Sequence, residues 1–229
     1  MDPSVSDRLR HLICHRRSAR GPYDPNWHVS ERELDAIVTA ARWAPTLHNS
    51  QNFELVIVEN PQILRLLGAL RVTEGYYGDT SAELVRTITE LEQRQTGLLT
   101  TELGETCWKN GDHGSRPFAE TIAGAPVLIV VAFDPGRQPD ATTRAMLDMI
   151  GLGCVLENMW LAASSLGLDV QVLSSLGAVP HEAATVLGIP EDWTIAFTLR
   201  IGHAIAPHDA QRVRRDVHRF VHRDRFRRS

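Results

Sequence analysis

Arg16, Arg17, Ser18, Ala19 and Arg20 set three guanidinium groups and a hydroxyl in five residues. Guanidinium forks bond phosphate oxygens bidentately and a serine hydroxyl adds a donor, so the stretch has the chemistry of a phosphate clamp. The plainer alternative is that these cations offset the negative end of a preceding helix dipole. A second concentration of polar groups is Thr46, His48, Asn49, Ser50, Gln51 and Asn52, following Ala44-Pro45 and leading into Phe53. It holds more hydrogen-bonding groups than a chain reversal requires. A third lies at the end, where the last nineteen residues contain eight arginines, Arg212 and Arg214 among them. Gly151-Leu152-Gly153 lacks the third glycine of a dinucleotide fingerprint and sits in a helical pattern, which excludes a Rossmann site. His218 and His222 are four residues apart without a third ligand at matching spacing, so no metal site is expected.

These groups need rigid elements to hold them. Ser30 and Glu33 form a capping box, and Leu34, Ile37, Val38 and Ala41 recur at helical spacing, predicting a helix over 31–43 that Pro45 stops. Phe53 to Val58 is β-branched and nearly all apolar, predicting a strand covered on both faces, so the polar turn joins two core elements. Val5, Leu9, Leu12 and Ile13 predict an opening helix that delivers the arginine cluster at its end. Asn60 and Pro61 start a short helix, and 125–132 forms a second buried strand. The longest helix is predicted over 141–166, capped by Gly167 and apolar almost all round. That circumference calls for cover from a second copy of the chain, with Gly151, Gly153 and Cys154 allowing close approach. A strand at 170–173, a helix at 180–187, a strand at 193–202 and a helical run ending at 222–226 follow, giving an α+β core. The segment 71–118 is weakly periodic apart from a helix over 81–95, and it carries Tyr76, Tyr77 and Trp108 as lid or substrate candidates.

With 229 residues and 43% hydrophobic content the chain is expected to fold as one domain. The longest apolar run, about 123–133, is too short to cross a bilayer, and no signal peptide is evident. Cys14, Cys107 and Cys154 are isolated, which fits a reducing, cytoplasmic setting. A net charge of -4 argues against a general nucleic-acid binder.

The order of the motifs, basic-x-Ser-x-basic, capped helix, Ala-Pro-Thr-x-x-Asn-x-Gln entering a strand, then 151–172 and Ile201-Gly202, resembles the nitroreductase family of FMN-dependent oxidoreductases. The resemblance implies a central, mostly antiparallel sheet flanked by helices, with the long helix at a homodimer interface. It implies that Arg16, Arg17, Ser18 and Arg20, joined by Arg212 and Arg214, hold the FMN phosphate and ribityl chain. Pro45, Thr46, Leu47 and Asn49 would meet the cofactor partly across the dimer interface, with His48 and Gln51 weaker candidates. Val172, Leu173, Ser174 and Ser175 would run along the flavin edge, the Ser174 amide donating to flavin N5. This sequence departs from the family at three points: Ser174-Ser175 stands where many members carry an acidic residue and glycine, Asn52 where proline is usual, and Phe53 where tryptophan is usual.

The activity implied is hydride transfer from NADH or NADPH through flavin to a small electron-poor aromatic acceptor, a nitroarene or a quinone, with no side-chain acid-base pair. Two alternatives stay open: an oxidase or dehydrogenase on the same fold, and a nucleic-acid or interaction module built on the arginine tail.

Overall fold

The computed structural model describes residues 3–20, 22–70, 122–135, 141–173, 176, 180–205, 214 and 216–226. Two compact units make up the chain: Met1–Val72 with Arg116–Pro207, and Thr73–Ser115 with His208–Ser229. The expected helix over 81–95 and the lid candidates Tyr76, Tyr77 and Trp108 lie outside the described residues.

The first unit is built on a four-stranded antiparallel sheet in the order β1-β2-β4-β3. Its strands are β1 (Phe53–Val58), β2 (Val127–Phe133), β3 (Asp169–Leu173) and β4 (Thr194–Gly202). Every residue of β2 is buried, as its unbroken Val/Leu/Ile run requires of a central strand. β1 departs from expectation. Among the described residues it pairs with β2 alone, at the edge of the sheet, and exposed Glu54 and Ile57 show that its faces are not fully covered. The pairing of β2 with β4 shifts register between Val131 and Ala132.

Among the described residues five helices accompany it: α1 (Pro3–His15), α2 (Glu31–Arg42), α3 (Pro61–Gly68), α4 (Ala141–Ser165) and α5 (Pro180–Leu187). The capping box of α2 forms as its sequence predicts, Ser30 Oγ accepting from the Glu33 amide while the Glu33 carboxylate takes the Ser30 amide at 2.8 Å. α3 starts on Asn60, whose Oδ1 accepts from the Gln62 amide at 2.8 Å. α4 ends at Gly167, φ +78°, with Leu168 N–H bonded to Ala163 O and Gly167 N–H to Ser164 O, the Schellman pattern that glycine permits.

One core layer joins α2 and α4 to a sheet face through Leu34, Ile37, Val131, Val155, Met159 and Leu199. The other face carries a second cluster with Leu64, Leu67, Leu128, Val130 and Ala183. Each fully buried aliphatic side chain contributes about 1.5–3 kcal/mol. By length and composition Met146–Ser165 could span a bilayer, contrary to the expectation that no apolar run is long enough, yet Leu152, Val155, Met159 and Ala163 of that span lie in the core.

Two sides of the first unit stay uncovered. Val5, Leu9 and Ile13 of α1 are about half exposed, and on α4 Met146, Met149 and Ile150 are 59%, 48% and 56% exposed. A Cβ on Gly151 would make only ordinary contacts, at 3.5 Å, with the turn at Pro45 and Thr46, and one on Gly153 would touch nothing within 4 Å, so neither glycine is required by close approach within the chain.

In the second unit the described tail differs from the helical run expected there. Only a single 3-10 turn forms, Val217–Arg219, capped by Asp216 accepting from the His218 amide. The chain then turns through Asp224, φ 62°, so His218 and His222 do not share a helical face. Arginine and histidine crowded with aspartate give no continuous apolar stripe to anchor a helix here.

Candidate cofactor site

α1 hands the chain to the arginine stretch with the Arg16 amide still bonded to Leu12 O at 2.9 Å. The segment then lies against the free edge of β3. Ser18 bridges Val170 in the parallel sense, and the Ala19 amide donates to Val170 O at 2.9 Å. The Ala19 carbonyl accepts from two donors, Tyr23 Oη at 3.2 Å and Arg200 Nη2 at 3.3 Å. In strand-like backbone, side chains alternate sides. Ala19 is buried, and Ser18 and Arg20, on either side of it, are half-buried. Because the bridge is parallel, the chain from Ser18 to Arg20 runs in the same direction as β3 from Val170 to Val172.

Arg16 is drawn towards α4. Its Nε lies 3.4 Å from Glu157 Oε1, and its guanidinium carbon stands 4.1 Å from the centroid of the Trp160 ring. Cation–π contact and a carboxylate together fix a long side chain that would otherwise sample many rotamers. Arg17 is exposed.

The polar turn between α2 and β1 is held from three directions. Asn158 Nδ2 on α4 donates to Ala40 O at 3.0 Å, anchoring the end of α2. The Gln51 amide donates to Thr46 Oγ1 at 3.1 Å, closing the turn on itself. Asn52 is buried, its Oδ1 accepting from Ser50 Oγ at 3.1 Å and its carbonyl from the Asp134 amide. Of these two bonds, the one to Oδ1 depends on the asparagine side chain. Three non-glycine residues, His48, Asn49 and Gln51, have φ of 49°, 56° and 45°. Each costs about 1 kcal/mol or more, and such strain persists where surrounding bonds over-determine it. His48, Asn49 and Gln51 are exposed, as is Pro45, with Thr46 and Leu47 half-buried.

Gly151 seats this turn on α4. A Cβ there would stand 3.5 Å from both Pro45 O and Thr46 Cα, ordinary van der Waals contact, so the turn lies over this point of the helix. Gly151 and Trp160 are nine residues apart, about 14 Å along the helix axis. α4 thus carries the strained turn near one point and Arg16 near another.

Val172 packs with the α2–α4 core and Leu173 is buried in the opposite cluster. Ser174, Ser175 and Arg212 lie outside the described residues. Arg214 is exposed in the second unit. Among the described residues no group of three His, Cys, Asp or Glu side chains could hold a metal ion.

Sequence reasoning missed four side chains that build the site: Tyr23, Glu157, Trp160 and Arg200. Glu157 and Arg200 carry a signal in hindsight, since each is a charge inside an apolar stretch of α4 or β4. Tyr23 carries another titratable group; burial pushes its phenol above the ordinary value of 10.0, opposed by the nearby Arg200 charge.

The first of the solved structures similar to this chain is an FMN-dependent nitroreductase from Clostridium difficile, 17% identical, TM-score 0.62, covering 95% of this chain and 99% of that one. A variant of the FMN and NADPH-dependent nitroreductase NfnB from sphigopyxis sp. strain HMH is 20% identical, TM-score 0.69, over 95% of this chain and 99% of that one. Nitroreductase A from Vibrio parahaemolyticus is 18% identical, TM-score 0.64, over 96% and 76%. At these identities the likeness shows a shared fold. No protein of curated function matches the chain. The nitroreductase family model matches residues 13–203, a span that takes in the arginine segment, the strained turn and all four strands, and on that match this oxidoreductase belongs to the nitroreductase family.

Proposed function

We propose that the chain binds FMN and uses NADH or NADPH to reduce small electron-poor aromatic acceptors of the nitroarene or quinone type. The observation that carries this reading is the arginine segment strapped to β3 with Ala19 turned into the core. It presents Ser18 and Arg20 together, with Arg17 beside them, and the five residues include no acidic side chain. That donor set fits an acceptor-only dianion such as the FMN phosphate. FMN, when bound, supplies the hydride chemistry.

What the protein contributes is binding and positioning. Arg17, Ser18 and Arg20 hold the phosphate, with Arg16 held nearby by Glu157 and Trp160. Val172, Leu173 and the Ser174–Ser175 amides follow along the ring edge. Pro45, Thr46, Leu47 and Asn49 supply contacts from a second copy of the chain. The turn suits that role because it is rigid, exposed and bordered by uncovered apolar surface: Trp43 is 78% exposed just before it, and Met149 and Ile150 adjoin Gly151 beneath it. A homodimer burying these faces of α1 and α4 follows the same logic. Tyr76, Tyr77 and Trp108 stand as the acceptor-contacting candidates.

Two measurements test the proposal together. Full-length protein should take up one FMN per chain, and NADH or NADPH should then drive reduction of a nitroarene or benzoquinone. Failure to take up FMN overturns it. Uptake without nicotinamide-driven turnover keeps the cofactor and removes the reductase activity.

A further inference from the structure

Arg200 sits in the middle of β4, 1% exposed, between Leu199 and Ile201, which are wholly buried. A strand interior is a costly place for a guanidinium, because charge removed from water must be compensated by specific contacts. Two of its contacts lead to one place. The guanidinium carbon lies 4.1 Å from the centroid of the Tyr23 ring, and Nη2 donates to Ala19 O. Tyr23 Oη donates to that same carbonyl. Burial keeps the phenol protonated through the physiological range, so it remains a donor.

The surroundings are shaped to allow this. Gly202 leaves room for the ring: a Cβ there would come within 2.8 Å of Tyr23 Cδ1 and of Pro126 Cγ. Asp169, at the start of β3, accepts from the Ala204 amide at 2.9 Å, and Tyr23 itself bridges Ala204. The peptide at Ala19 is therefore fixed on both sides, by β3 through its amide and by Arg200 and Tyr23 through its carbonyl. The residues on either side of it are Ser18 and Arg20.

We infer that Arg200 is a positioning residue for the anionic group that Ser18 and Arg20 hold, acting through the Ala19 carbonyl and assisted by Tyr23. The inference rests on the phosphate-site reading above. It assigns Arg200 no contact with cofactor or substrate. Its effect is to hold two donors at a set spacing, so that the phosphate does not have to order the segment on binding.

Riboflavin, which lacks the phosphate, separates this role from general support of the fold. Apoprotein of the full chain is titrated with FMN and with riboflavin by flavin fluorescence, for wild type, Arg200→Met, Arg200→Lys and Tyr23→Phe. Arg200→Met should weaken FMN by about tenfold, the size of one lost charge-assisted bond, with riboflavin unchanged within about twofold. Arg200→Lys should restore most of the loss. Tyr23→Phe, which keeps the ring and removes one donor, should cost about threefold for FMN alone, and it reads the latch even where Arg200→Met does not fold. Equal weakening of both ligands, or an FMN preference unaltered in the folded variants, overturns the inference alone. A wild type that binds riboflavin as tightly as FMN overturns the phosphate site and the inference with it.

Discussion

Replacing Gly202 by alanine tests whether the Tyr23 latch is as tight as its geometry requires. The added Cβ would stand 2.8 Å from Pro126 Cγ, 2.8 Å from Tyr23 Cδ1 and 3.0 Å from Pro126 Cδ. Carbon atoms pack best at about 3.5–4.0 Å, so the methyl intrudes by about 0.7 Å or more on two neighbours at once. Neither can swing aside cheaply, since one is a pyrrolidine ring and the other an aromatic ring pressed against Arg200. Overpacking of this kind costs about 1–3 kcal/mol. For a chain of this length that lowers the thermal midpoint by about 2–12 °C, measurable by circular dichroism. Movement of the Tyr23 ring should also loosen the Ala19 carbonyl, so FMN should weaken more than riboflavin. A Gly202→Ala protein with an unchanged midpoint and unchanged FMN affinity would refute the reasoning, because the contact would then be soft.

Four further outcomes follow from the same structure. Glu157→Gln should tighten FMN by about two- to fivefold, because it frees Arg16 from a half-exposed pair worth at most about 1 kcal/mol; weaker binding in the titration counts against Arg16 as a phosphate ligand. Ser30→Ala should cost about 1 kcal/mol, seen as a midpoint about 2–4 °C lower. It should also flatten the acid limb: hydrogen bonds from Ser30 hold the Glu33 carboxyl below its ordinary 4.5, so its stabilisation is present above that pH and lost below it, and an unchanged acid limb would place the effect elsewhere. Tyr23 has the opposite sign: its raised value makes its contribution complete below pH 10.0 and lost as pH rises beyond, with Arg200 and Asp169 the charges facing it, so midpoints of Tyr23→Phe should fall less steeply above pH 10 than those of wild type. Met149→Asp should convert a species of twice 25.5 kDa into one of 25.5 kDa in sedimentation, and an unaltered wild-type monomer would remove the dimer from the account.

Much of the fold was legible because its signals are local. Ser30 and Glu33 cap α2, Asn60-Pro61 starts α3, Gly167 ends α4, and the apolar run of β2 marks a central strand. The place of β1 was not legible, since Phe53 to Val58 is nearly all apolar and only pairing among the described strands puts it at an edge. The segment Arg16 to Arg20 was identifiable from its residue types. What holds it was not: Arg200 is 181 positions away from Ala19, and only the sheet brings them together. Glu157 and Trp160 were hidden for a similar reason, because the helical pattern of α4 assigned them faces without saying that Arg16 lies against them. His48, Asn49 and Gln51 were legible as a polar turn, while their left-handed backbone follows from Thr46, Ser50 and Asn52 closing on one another.

The visible absorption spectrum of the full-length protein, recorded without oxygen before and after addition of NADPH or NADH, tests the central claim most directly. The account predicts one flavin per chain, removable and restored by FMN, whose absorption bleaches when the nicotinamide is added. A colourless protein that takes up no FMN, or a bound flavin that neither nicotinamide reduces, would contradict it.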